Sequence, residues 1–212
     1  MVESIGDAAS LRDESHPVEV VSSERAFAGK VWDIRRETFR YGDGEVVREF
    51  VDHTGAVAVL ALDADERVLL IQQYRHPIGE RDWELPAGLL DIAGENPAVA
   101  AGRELEEEAD LVAGSLQLLT EFYTTPGGSN ESIRIYLARD LTATAEAFAR
   151  AEEEADILVE WVPLDDAVAA VLDGRLHNSI LMLGVLTAAA ARDRGWSTLR
   201  DSGDSTIGPG GA

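Results

Sequence analysis

The sequence predicts mixed β-sheets packed against helices, an α+β domain or an α/β/α sandwich, with a β-rich section in front. Three observations predict it. The stretch GAVAVLALDADERVLLIQQYRH, from Gly55, holds two apolar runs joined at Asp63-Ala64-Asp65-Glu66, which read as buried strands. A helical segment over Pro97–Ala109 follows them. The remaining periodicities complete the order β-β-α-β-β-β-α-α.

In chain order, residues 1–17 are polar and without period, and are expected to be disordered. Residues 18–52 form the β section. VEVVSSERAFAGKVWDIRRETFRY is rich in β-formers, Asp43-Gly44 is a hairpin signal, and REFVDH continues as a strand. The main domain is expected over 53–201. After its first two strands, WELPAG turns the chain. Asn96 is a fitting N-cap, with Pro97 at the first helical position. LQLLTEFYTT and SIRIYLARDL make a strand pair around PGGSNE, and ILVEWVPL is a further strand. DDAVAAVLDGRL and NSILMLGVLTAAAARDRG are helices, the second apolar enough for the core. The end, 202–212, reads as a flexible tail.

The 212 residues carry a formal charge of −22, and Lys30 is the one lysine among 18 basic residues. Such a chain lacks the basic face of a general nucleic-acid binder. No run approaches a membrane span, and the N-terminus lacks a secretory pattern. With no cysteine, disulfides and thiolate metal sites are excluded and a cytoplasmic setting is the default. An anionic substrate is repelled at long range, so its site must supply local arginines or metal ions.

On the helix Pro97–Ala109, Ala98, Ala101, Gly102, Leu105 and Ala109 share a face expected to meet a sheet. Glu104 and Glu108 stack at i, i+4 with Glu107 beside them. Like charges at that spacing repel, and carboxylates near a helix C-terminus oppose the macrodipole. A glutamate run alone is more often a solvated face, but a hard cation such as Mg²⁺ relieves this repulsion.

The surrounding residues resemble the Nudix box. Gly88 opens it, Glu95 follows, and after seven residues comes Arg103-Glu104-Leu105-Glu106-Glu107-Glu108-Ala109-Asp110-Leu111. There are two departures. Six residues rather than five separate Gly88 from Glu95, and Asp110 stands where the box has glycine. Asp110 is read as a modest stability cost at a left-handed helix end. QQYRHPIGERDWELPAGLLD and TTPGGSNESIRIYLA are similar to the ADP-ribose pyrophosphatase branch, as is Pro126, fifteen residues after Leu111.

This resemblance implies a Nudix α/β/α sandwich and metal-dependent hydrolysis of ADP-ribose to AMP and ribose 5-phosphate, with Mg²⁺ or Mn²⁺. Glu104, Glu108, Glu107 and the backbone carbonyl of Ala87 would be ligands, and Arg103 and Glu95 would brace the box. Glu154, with Glu153 second, would activate or orient the water. Arg48, Arg75 and Glu131 are candidate substrate contacts, arginine being suited to bidentate phosphate binding. A homodimer exchanging the N-terminal section is also implied. Alternatives are another nucleoside diphosphate sugar as substrate, or a non-catalytic ADP-ribose sensor. Trp32 and Trp83 are read as core or interface aromatics, and His53, His76 and His177 as structural.

Overall fold

A computed structural model describes residues 11–148 and 156–207. The chain divides into two compact units after Phe50, two residues before the boundary expected from the sequence. The first unit carries a three-stranded sheet in the order β1 (Val20–Phe27), β2 (Asp33–Tyr41), β3 (Gly44–Asp52), of which Val51 and Asp52 already belong to the second unit. Its hairpin turn is Gly42-Asp43, one residue earlier than the Asp43-Gly44 signal suggests. Gly42 takes the positive φ, 59°, that the turn requires.

The second unit contains two sheets. One has the order β10 (Leu158–Pro163), β5 (Arg67–Arg75), β6 (Glu80–Glu84), and is antiparallel throughout. The other has the order β7 (Ala87–Leu89), β4 (Ala56–Ala61), β9 (Ser132–Ala143), β8 (Leu111–Tyr123). Its β4–β9 pair is parallel and its other pairs are antiparallel. WELPAG therefore contributes to two strands, β6 and β7, rather than a turn alone.

β4 is buried along its whole length, which explains its unbroken apolar sequence. Ala56, Ala58 and Leu60 join the cluster that includes α2 (Leu164–Leu172) and α3 (Ser179–Arg192). Val57, Val59 and Ala61 face the opposite way and join α1 (Pro97–Ala109). The alternation of side chains along a strand thus builds an α/β/α sandwich from one residue run.

Asn96 Oδ1 accepts the Ala98 N–H and starts α1, with Pro97 in its first turn. The buried residues of α1 are Ala100, Ala101, Leu105 and Glu108. Ala98 and Ala109 pack beside them, as periodicity leads one to expect, while Gly102 is only partly buried and the face also takes in Ala100 and Glu108.

Residues 200–207, which include the start of the expected tail, make specific contacts with β8 and β9. Arg200 bridges the edge of β8 through paired backbone bonds with Leu118. Beyond it, Ser205 Oγ and both the N–H and hydroxyl of Thr206 donate to Glu121, at 2.7–2.8 Å. Arg134 donates to Ser205 Oγ and the Ile207 carbonyl. Glu121 and Arg134 are buried charges, and the chain end supplies the polar partners that burial demands.

Candidate active site

β7, the loop 90–96 and α1 bring the acidic run of the helix back onto the sheet. A Cβ on residue 88 would collide with the Glu104 carboxyl group, so glycine lets that carboxylate lie against the β7 backbone. Glu108 is buried, and its Oε2 accepts the Ala87 N–H at 2.8 Å. Two carboxylates one helical turn apart thus converge on the Ala87-Gly88 backbone.

Arg103 ties this arrangement together. Its Nε and Nη2 donate to the two oxygens of Glu95, each at 3.3 Å. Its Nη1 reaches Glu104 Oε1 at 2.7 Å and Glu107 Oε2 at 3.0 Å. The hydrogen bonds to Glu95 raise the Arg103 pKa most; burial opposes them, and Glu104 adds to them. The guanidinium therefore stays charged and offsets part of the repulsion within the glutamate run.

Among the described residues, no group of three or more His, Asp or Glu side chains is arranged to hold a metal ion. The donor set nonetheless fits one. It consists of carboxylate oxygens, which hard divalent cations prefer. Glu108 is anchored to the Ala87 N–H, and the bare Cα of Gly88 leaves the Glu104 carboxylate its cradle.

Arg75 and Glu84 form a second charged feature. Arg75 Nε and Nη2 grip the two oxygens of buried Glu84, each at 2.6 Å. Gln73 also donates to Glu84, at 3.4 Å. The Arg75 pKa is raised first by Glu84, against burial, and further by the charges of Glu108 and Asp82. A large part of this guanidinium, a candidate phosphate contact in the sequence, is thus committed within the fold. Sequence reasoning does not single out Glu84, although alternation across the β5–β6 hairpin gave a usable signal. Residues 71, 73 and 75 pair with 84, 82 and 80, so Gln73, Arg75 and Glu84 share a face.

Glu131 lies on the loop between β8 and β9. Its Oε2 accepts from Thr124 Oγ1 at 2.6 Å, and its Oε1 is 3.4 Å from His53 Nε2. Arg48 is an exposed residue of the N-terminal unit, donating to the Val47 carbonyl. Glu153 and Glu154 lie outside the described residues. Just beyond them, the Asp156 carboxylate is 3.7 Å from Arg81 of β6. The structure therefore brings Ala87, Gly88, Glu95, Arg103, Glu104, Glu107 and Glu108 together, with Arg75 in electrostatic reach of Glu108.

A cavity of about 410 Å³ lies elsewhere, lined by Leu70, Trp83, Val162, Ala170, Arg175 and others. It belongs to the side of the sheets that carries α2, so its size does not mark the site.

Comparison with known proteins gives concordant results. The NUDIX domain family matches residues 52–181. The ADP-ribose pyrophosphatase of Mycobacterium tuberculosis is 46% identical over 176 residues, covering 82% of this chain and 84% of that protein. The ADP-ribose pyrophosphatase of Bacillus subtilis is 38% identical, over 75% of this chain and 85% of its own length. The methanol dehydrogenase activator of Bacillus methanolicus is 34% identical, over 78% and 89% respectively. A crystal structure of an ADP compounds hydrolase superimposes with a TM-score of 0.71 at 19% identity, covering 87% of this chain and 99% of that one. That last likeness is one of fold.

Proposed function

The chain belongs to the NUDIX domain family, and from that premise we propose that it is a pyrophosphatase hydrolysing ADP-ribose to AMP and ribose 5-phosphate. The observation that carries the reading is the convergence of Glu104 and Glu108 on the Ala87-Gly88 backbone. The names of the relatives from M. tuberculosis and B. subtilis supply the substrate.

In the reaction, a water oxygen bonds to one phosphorus, the bond from that phosphorus to the bridging oxygen breaks, and the water's protons are shared out between products and solvent. Glu104, Glu107, Glu108 and the Ala87 carbonyl would hold Mg²⁺ or Mn²⁺, which when bound supplies positive charge to the diphosphate. Arg103, gripped by Glu95, fixes the direction of Glu104 and Glu107. Arg75 lends positive charge beside Glu108 while remaining locked to Glu84. Glu154 or Glu153 takes the proton of the attacking water, and Glu131 and Arg48 contact the substrate.

The β section presents Phe27, Val31, Trp32, Tyr41 and Val47 as exposed apolar side chains, which supports a homodimer formed through this unit. No helix among the described residues is long and apolar enough to cross a membrane. The absence of cysteine suits a reducing cytoplasm.

The test is release of AMP from ADP-ribose with Mg²⁺, repeated with Glu104→Gln and Glu108→Gln. Each substitution is expected to lower kcat by about 100-fold or more, the scale seen when one electrostatic contact to a transition state is removed. Unchanged turnover in both variants overturns the assignment. A panel with ADP-glucose, GDP-mannose, NADH and diadenosine polyphosphates separates ADP-ribose from other nucleoside diphosphates, and absence of turnover with any of them favours a binding protein.

A further inference from the structure

Two stretches remote in sequence are joined by polar contacts beside the start of the 90–96 loop. Val51 N–H donates to the Gly128 carbonyl at 2.9 Å. The His53 N–H donates to Asn130 Oδ1 at 2.7 Å, and Asn130 Nδ2 donates to Asp52 Oδ1 at 3.0 Å. The chain leading into β4 is thus fastened to the loop that carries Glu131.

The His53 ring lies at the centre of this contact and is 5% exposed. Its Nδ1 is 3.0 Å from the Gly55 N–H. A backbone N–H can only donate, so Nδ1 must be an unprotonated acceptor and the neutral ring carries its proton on Nε2. That nitrogen faces Glu131 Oε1, whose companion oxygen is held by Thr124. The Gly55 carbonyl in turn accepts the N–H of Leu90, the residue after β7, at 3.0 Å. Gly55 has φ +84°, and a Cβ there would press within 3.4 Å of Ser132. Burial lowers the His53 pKa and outweighs the opposing charge of Glu131, keeping the ring neutral.

We propose that His53 is a positioning residue for substrate binding: its ring, with Nδ1 turned to the Gly55 N–H, directs Nε2 to the Glu131 carboxylate and sets that carboxylate on the β8–β9 loop. This rests on the reading of Glu131 as a substrate contact. A histidine that merely filled core space would need neither ring nitrogen in particular.

The two nitrogens are separable by substitution. Asparagine places an acceptor near Nδ1 but does not reach Glu131. Glutamine places an N–H donor near Nε2 but loses the acceptor for Gly55. With the full chain, His53→Asn is expected to raise the KM for ADP-ribose about tenfold with kcat within about threefold, the scale of one hydrogen bond to a charged group. His53→Gln is expected to restore KM to within about threefold of the original, and Glu131→Gln added to His53→Asn to raise KM by less than the product of the single effects. Equal KM values for the two His53 variants, or an effect on kcat alone, overturn the proposal.

Hydrogen exchange of residues 124–131 in the ligand-free protein keeps this test separate from the choice of reaction. Faster exchange in His53→Asn than in His53→Gln supports the positioning role, and equal rates overturn it. If the unmodified protein turns over no nucleoside diphosphate, the reading of function fails, while the exchange comparison still decides the role of His53.

Discussion

Replacing Gly88 by alanine puts a methyl group where the Glu104 carboxylate lies. The obstructing atoms are the end of a flexible side chain, so the fold can yield at little cost while the carboxylate moves. Gly88→Ala is therefore expected to unfold within about 1 kcal/mol of the unmodified protein, yet to lose about 100-fold in kcat/KM, the penalty of displacing a reacting group by an ångström. Urea unfolding and steady-state kinetics on the same preparation check it; a loss of stability that matches the loss of activity sinks the idea. The sequence made Gly88, Glu95, Arg103 and the glutamates legible because they lie in one continuous segment. It did not reveal Glu84, whose partners Gln73 and Arg75 meet it across the β5–β6 pair, or the approach of the His53 ring to Glu131, which lies on a loop remote in sequence. Nor did it show that Arg75 would be gripped from within.

At the scale of elements, α1 was readable at both ends. Asn96 caps it, and Asp110 closes it at φ 55° in the left-handed conformation. The sequence suggested that Asp110 costs stability in place of glycine, but its Oδ1 accepts the Phe148 N–H at 2.7 Å and so contributes a contact glycine lacks. Asp110→Gly relieves the left-handed residue and loses that bond, so its stability is expected to stay within about 1 kcal/mol. Asp110→Ala loses the bond and keeps the strained backbone, and is expected to cost about 1–2 kcal/mol. Denaturant midpoints at neutral pH distinguish them, and an alanine variant as stable as the glycine variant contradicts the argument.

The chain end is an element the sequence concealed, because SGDST carries no periodicity and its structure comes from Glu121 and Arg134. Burial raises the Glu121 pKa, but hydrogen bonds from Thr206, Ser205 and Arg200 outweigh it and bring the value from 4.5 to about 2. A depressed carboxylate stabilises the fold above its unfolded pKa and loses that contribution as pH falls through its folded pKa. The difference amounts to about 3 kcal/mol, complete above about pH 4.5 and disappearing towards pH 2. Deleting residues 202–212 removes the Ser205 and Thr206 bonds but leaves Arg200, so it is expected to destabilise the protein by part of that difference, about 2 kcal/mol at pH 7, with the deficit shrinking as pH falls through that window. Urea titrations of both proteins across pH check it; a deficit independent of pH means that Glu121 does not anchor the chain end.

For the whole molecule, the layered architecture was legible from the order of apolar segments, whereas the parallel pairing of β4 with β9 was not. Residues more than seventy positions apart meet there, and local periodicity cannot encode such a partner. The charge of −22 acts on a still longer range, and it yields a prediction of opposite signs. A negative molecule repels the diphosphate and attracts divalent cations, and added monovalent salt screens both effects. With Mg²⁺ saturating, only the repulsion of substrate remains to be screened. Raising NaCl from about 20 to about 300 mM, which shortens the screening length from about 20 Å to about 6 Å, is then expected to increase kcat/KM for ADP-ribose a few-fold. With Mg²⁺ well below saturation, the same salt weakens cation capture and kcat/KM is expected to fall. Steady-state rates over a grid of NaCl and Mg²⁺ concentrations read both limits. A response of the same sign at both would show that the field at the site is set by Arg75, Arg103 and their neighbours rather than by the charge of the molecule.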